Sequence, residues 1–225
     1  MVPGSNPGGI ASVPTDPPRD CVLCPRLVDL RRDLQGQHPD WFNAPVPSFG
    51  DADPGLLIVG LAPGLRGANR TGRPFTGDYA GDLLYETMLE FGFASGVYEA
   101  RPDDSLVLHQ AMITNAVRCL PPENKPIGAE VKACRPYLLA TLDANPSIRA
   151  ILALGRIAHD TFLTTFGLKK SLFPFSHGGR HDLGVRNLTL FDSYHCSRYN
   201  TNTGRLTPEM FKSVFADIRT LISRP

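Results

Sequence analysis

An excess of charge of either sign is missing from this chain: 23 basic residues face 22 acidic ones, for a formal net charge of +1 over 225 residues. That balance gives no global electrostatic reason to expect nucleic acid, so such a partner has to be argued from local clusters of arginine and lysine. Long apolar runs are missing too. No stretch could span a bilayer, and no membrane partner is expected. The opening MVPGSNPGGIASVPTDPPRD lacks the cationic start and apolar run of a secretion signal and is rich in proline and glycine. Residues 1–16 read as a flexible tail ahead of a single domain over 17–225. Without that signal, the five cysteines point to a reducing compartment, the cytoplasm, where close cysteine pairs hold metal more often than they form disulfides. What is present is ordinary for one globular domain with a core: 42% hydrophobic residues and no internal repeat.

Four short apolar runs bounded by turn residues read as buried strands: Leu56 to Gly60, Met112 to Val117, Ile148 to Leu154 and Leu188 to Tyr194. Helical periodicity lies between and after them. Thr207 and Pro208 look like an N-cap and first helical position, followed by Phe211, Val214, Phe215, Ile218, Leu221 and Ile222 on one face. Other helices are predicted from about Asp78, over Gly155 to Phe166, and between Ile127 and Leu142, where Pro136 should kink or split the element. Strands alternating with helices predict an α/β fold, a three-layer α/β/α sandwich around a central, mostly parallel four-stranded sheet. Such sheets place their sites beyond the carboxyl ends of the strands, which directs attention to the loops after Gly60, Ala116 and Tyr194.

The loop after the first strand reads LAPGLRGANRTGRPFTGDYAG, with glycines that allow close approach of backbone to a ligand. Its glycine spacing does not fit the dinucleotide fingerprint, and no Gly-Lys-Ser/Thr follows as a phosphate-binding P-loop requires. Arg66, Arg70 and Arg73 put three cations on one loop, which suits a phosphate backbone or, for each alone, a solvated face. Asn115, at a strand end, carries an amide that can donate and accept, as a pyrimidine edge requires; a strand-end cap is the plainer use. Cys21 and Cys24 have metal-site spacing, while Cys119 and Cys134 sit far away; four thiolates suit zinc or an iron–sulfur cluster, and spacing leaves both open.

The Gly60 to Gly81 segment resembles the first motif of the type B (family five) uracil-DNA glycosylases. SYHCSRYNTNTGRLT, from Ser193 to Thr207, resembles that family's second motif, and TNAVRC, from Thr114 to Cys119, matches between them; with the cysteines the likeness runs from about Cys21 to the end. The resemblance implies a monofunctional DNA glycosylase of base excision repair, which flips uracil, and other deaminated bases such as hypoxanthine, out of the stack and hydrolyses the N-glycosidic bond. No lysine lies in either motif to form a Schiff base, so water is the expected nucleophile.

By the same resemblance Phe75 stacks on the flipped base, His195 lies against the pyrimidine carbonyl, and Asp78 assists catalysis, its alternative being a helix N-cap. Ala62 and Gly64 join Phe75, Asn115 and His195 in substrate binding. Arg66, Asn69, Arg70, Ser197, Arg198, Asn200 and Arg205 are expected on the DNA, with one residue after His195 acting as the wedge. Lys169, Lys170, Arg180, His177 and His181 read mainly as solvated surface. The likeness also implies a 4Fe-4S cluster on Cys21, Cys24, Cys119 and Cys134. Cys196, where the family usually has proline, is left as a free thiol expected near the DNA surface. The expected partner is DNA containing uracil or other deaminated bases, and the expected state a monomer. The alternatives are a metal-stabilised module that binds damage without cutting, and an α/β hydrolase of free nucleotides; neither accounts for both motifs.

Overall fold

The structure, a computed structural model, describes residues 14–223. The four apolar runs form β2 (Leu56–Gly60), β5 (Ala111–Asn115), β6 (Ala150–Leu154) and β8 (Thr189–Ser193), parallel neighbours in the order β5-β2-β6-β8. Almost every residue in them is buried, as expected of strands covered on both faces. Side chains alternate between two layers. Leu56 and Ile58 of β2 pack with α3 (Tyr79–Glu90) and α7 (Pro208–Ile222), while Leu57 and Val59 face α4 (Gly128–Ala144) and α5 (Arg156–Thr165). The result is an α/β/α sandwich, as the pattern predicted.

The sheet has six strands rather than four. β1 (Phe49–Gly50) pairs antiparallel with β5, and β7 (Arg180–Asp182) pairs antiparallel with β8, closing the two edges. Neither had a run long or apolar enough to be recognised. A separate hairpin, β3 (Ala94–Ser95) with β4 (Val107–Leu108), leaves the end of α3. The remaining helices are α1 (Pro25–Gln37) and the short α2 (Ala68–Thr71) and α6 (Arg198–Asn202).

Local chemistry set most boundaries. Thr207 caps α7 by accepting from the Met210 amide at 3.2 Å, with Pro208 at the first helical position. Pro136 does not split α4, which continues as one element to Ala144. Its buried residues, Cys134, Tyr137, Leu138, Thr141 and Leu142, flank the proline on both sides and hold the helix to the core. Of the expected tail, residues 1–13 lie outside the described residues. Asp16, by contrast, is anchored: its carboxylate accepts from the Ser48 amide at 2.9 Å and from Arg118 Nη1 at 2.6 Å. The Arg118 guanidinium is 1% exposed, and a charge so buried needs a counter-charge.

Candidate active site

Registry brings the site together. Gly60 pairs with Asn115 across β2 and β5, and Leu154 pairs with Ser193 across β6 and β8, so the loops after β2, β5 and β8 open side by side at the carboxyl edge of the sheet. Between them lies a pocket of about 610 Å³, lined by Ala62, Gly64, Phe75, Asp78, Asn115 and His195, with Arg66, Ser197 and Arg198 also on its wall.

Phe75 has φ 52°, a left-handed conformation rare for an aromatic residue. Its surroundings hold it there. Tyr98 Oη donates to the Phe75 carbonyl at 3.2 Å and Tyr85 Oη to the Pro74 carbonyl at 2.6 Å. Arg73 was expected as a cation for phosphate; it is instead buried, bound bidentately to Asp104 at 2.7 Å through each nitrogen and donating to Thr76 Oγ1 at 2.7 Å. Arg73 holds the Asp104 carboxyl down at about 2. The ring thus presented sits 5.9 Å from the His195 ring, tilted by 31°.

Gly60 is required here, since a Cβ would overlap Asn115 Oδ1 and come within 2.9 Å of Phe75 Cζ. Gly67 is required for the same kind of reason, because a Cβ there would overlap Asp78 Oδ2. The Asp78 carboxylate therefore lies over the β2 loop. It occupies the N-cap position of α3 but makes no side-chain cap bond, and its Oδ1 is buried with no hydrogen-bond partner among the described residues. Burial pushes its pKa up, against the opposing pull of the Gly81 and Ala80 amides. The Asn115 side chain is 3% exposed, and no described residue hydrogen-bonds to it. Burial pushes His195 down to about 4, so its imidazole is neutral at neutral pH.

The second-motif loop departs from expectation at two positions. Cys196 is fully buried in the core beside Asp78 rather than near a surface, and burial, with the Asp78 charge second, pushes its thiol well up. An apolar, compact thiol fills the space behind the carboxylate. Asn200 does not offer its amide outward: Nδ2 donates to the His195 carbonyl at 2.8 Å, closing the turn that presents the histidine. Asn69 likewise points inward, 3% exposed, donating to Asn43 Oδ1 at 2.9 Å. Arg66, Arg70, Arg198 and Arg205 remain on the surface. Arg198 lies over Tyr79 at 5.1 Å and Arg205 over Tyr194 at 4.5 Å, while Tyr199, next in the chain to the pocket-lining Arg198, is 71% exposed.

The sequence model of the uracil DNA glycosylase superfamily matches residues 47–219, three quarters of the chain and every element around the pocket. The chain belongs to that superfamily. It is 47% identical to the type-5 uracil-DNA glycosylase of Thermus thermophilus, over 89% of this chain and 93% of that protein. It is 42% identical to the type-5 enzyme of Mycobacterium leprae over 89% and 91% respectively, and 36% identical to that of Pyrobaculum aerophilum over 87% and 86%. Uracil-DNA glycosylase membership agrees with the motif resemblance and with the sandwich fold.

Away from the pocket, Cys21, Cys24, Cys119 and Cys134 line one cavity together with Leu27 and Tyr137. Cys24 occupies the N-cap position of α1, Cys134 rides on α4 and accepts from the Arg118 amide at 3.4 Å, and Cys119 follows β5. Burial and then the Cys134 charge push Cys24 up to about 11 and Cys119 up to about 12. Among the described residues, no three of these sulfurs lie within 4.8 Å of one another.

Sequence reading missed a second polar cluster. Asp192, on β8, accepts from His159 of α5 at 2.6 Å and from His181 of β7 at 3.2 Å, and the other nitrogen of His159 meets the Phe173 carbonyl at 2.9 Å. His177 stacks on Tyr194, with ring centroids 5.2 Å apart. The two histidines read as solvated rim, His177 and His181, are thus partly buried parts of the frame behind the second motif. A charged residue inside a buried strand, with a histidine on the preceding helix α5, was the available signal.

Proposed function

We propose that the protein excises uracil from DNA by water attack at the sugar, with Phe75, Asn115, His195 and Asp78 forming the base pocket and its chemistry. The observation that supports this best is the convergence on one pocket of three polar side chains, Asn115 buried and Asp78 and His195 half-buried, whose hydrogen-bonding capacity the described residues leave unfilled. Buried polar groups are normally satisfied. These three have capacity left for a ligand and a water.

The extruded pyrimidine stacks on Phe75, and the Asn115 amide pairs with its polar edge, donating to a carbonyl and accepting from the ring N–H. As the C1′–N1 bond breaks, its electron pair passes to the base and positive charge develops on the sugar. Neutral His195 donates an N–H toward the base oxygen, where negative charge accumulates, and so stabilises the transition state more than the bound substrate. Asp78, ionised, accepts a hydrogen bond from the attacking water and offsets the sugar's charge; the water oxygen bonds to C1′ and its proton leaves through the carboxylate. The products are free uracil and an abasic site. Arg66, Arg70, Ser197, Arg198 and Arg205 provide phosphate contacts along the mouth, with Tyr199 the side chain best exposed to enter the stack. Hypoxanthine and other deaminated bases fall within the reach of a pocket walled at Ala62 and Gly64 by little side-chain bulk. The protein acts as a monomer in the cytoplasm, where free thiols persist.

The cysteine cavity suits a 4Fe-4S cluster. A tetrahedral zinc with Zn–S bonds of ~2.3 Å needs its sulfurs about 3.8 Å apart, and the wider spread here fits the larger group. Cys21, Cys24, Cys119 and Cys134 would hold it, tying the N-terminal segment to α4 and the loop after β5. When bound it supplies a covalent cross-link between these elements.

The purified protein, incubated with a uracil-containing oligonucleotide, should generate alkali-labile sites. Absence of abasic product over a range of salt and temperature would refute the assignment. Product from mononucleotides, or DNA affinity with no cleavage, would favour the two alternative readings instead.

A further inference from the structure

α1 places Cys24, Leu27, Val28, Arg31 and Leu34 along one stripe, at the spacing of successive turns. Arg31 therefore comes off the same face as the cysteine at the helix start, two turns further on. It is buried, 8% exposed, and forms no ion pair with any described carboxylate. Nη2 donates to the Cys21 carbonyl at 2.9 Å, while Nη1 is buried with no hydrogen-bond partner among the described residues. Arg31 shares a cavity wall with Cys119.

A guanidinium with neither a carboxylate nor a full set of acceptors is costly in a protein interior. The other buried arginines show how the fold normally meets that cost: Arg73 has Asp104 and Arg118 has Asp16. For Arg31 the anionic groups within the same region are the cysteine sulfurs. We propose that Arg31 is the counter-cation of the cysteine centre, its free Nη1–H donating to a sulfur of the iron–sulfur group held by Cys21, Cys24, Cys119 and Cys134. The inference rests on the iron–sulfur reading above and adds a residue outside the ligand set.

A donor to sulfur, and a positive charge nearby, favour the more reduced, more negative state of such a group, and so raise its reduction potential. Nη2 at the same time pins the Cys21 backbone. Loss of Arg31 should therefore move the potential and loosen the iron, whereas a side chain that only filled space would leave the potential alone.

The test compares wild type, Arg31→Met and Arg31→Lys, purified anaerobically, by iron and sulfide content, voltammetric midpoint potential and rate of iron loss to a chelator. Wild type should contain iron and sulfide. Arg31→Met should shift the midpoint to more negative values and lose iron about 10-fold faster; Arg31→Lys, which keeps the charge without the planar fork, should fall between. If Arg31→Met does not fold, Arg31→Lys carries the comparison with wild type. Iron-loaded variants with wild-type potential and iron retention would overturn the role of Arg31 and leave the cluster standing. A wild-type protein that holds zinc and no iron would overturn both.

Discussion

Two carboxylates with buried oxygens meet opposite fates. Asp192 has His159 on one oxygen and His181 on the other, and the far nitrogen of His159 is satisfied by the Phe173 carbonyl. Asp78 has an oxygen with no partner, held over the β2 loop where only glycine fits at position 67. Burial raises Asp78, while the ring facing Asp192 is drawn upward by that carboxylate against burial. A complete network contributes rigidity; an incomplete one retains the capacity to bind something else. The first holds β7 and the adjoining segment against β8, and the second opens on the pocket.

Substitutions at the two sites should therefore fail differently. His195→Ala removes the donor to the developing charge and should lower single-turnover excision by about 10²–10³-fold with little effect on melting. Asp78→Asn keeps the shape and removes the negative charge. We expect about 10²-fold slower excision and a smaller change in DNA affinity; unchanged turnover would separate Asp78 from the chemistry. Asp192→Asn should do the reverse, destabilising the fold by about 3 kcal/mol in denaturant titrations while folded molecules retain near-normal excision.

The pH profile sharpens the contrast further. Asp78 acts as the anion, so excision should fall as pH falls through its raised pKa, higher than an ordinary carboxyl would give. His195, pushed down to about 4, should add no inflection at the usual imidazole pH. Asp78→Asn should lose the acid limb, and its persistence would assign that limb elsewhere. The smallest effects belong to the rim. Arg66→Ala should reduce the salt dependence of DNA binding by about one counterion, whereas Asn69→Ala, whose amide is turned inward to Asn43, should leave that slope unchanged.

The four central strands were legible because parallel strands buried on both faces concentrate apolar residues into short runs, and α7 because its cap and periodicity agree. β1 and β7 were not, since edge strands of two and three residues carry no such run. The pocket was legible as motifs: Phe75, Asp78, Asn115 and His195 all reach it. Polar residues inside those motifs were harder to sort, because a motif shows which residues accompany a site without showing which way each side chain turns. Asn69, Arg73 and Asn200 all carry groups suited to phosphate, yet each serves the protein's own frame.

The sequence alone determined the layer order of the core, the helix starts at Thr207 and near Asp78, the family, and the four residues that gather around the pocket, because periodicity and motif order are local properties of the chain. Tertiary structure decided which polar groups are spent and which are free. That depends on partners distant in sequence: Asp104 for Arg73, Asp192 for His159, no partner for Asp78 Oδ1 or Arg31 Nη1 among the described residues. Satisfaction of a buried donor or acceptor is a property of the whole packed arrangement, and here it distinguishes scaffold from site.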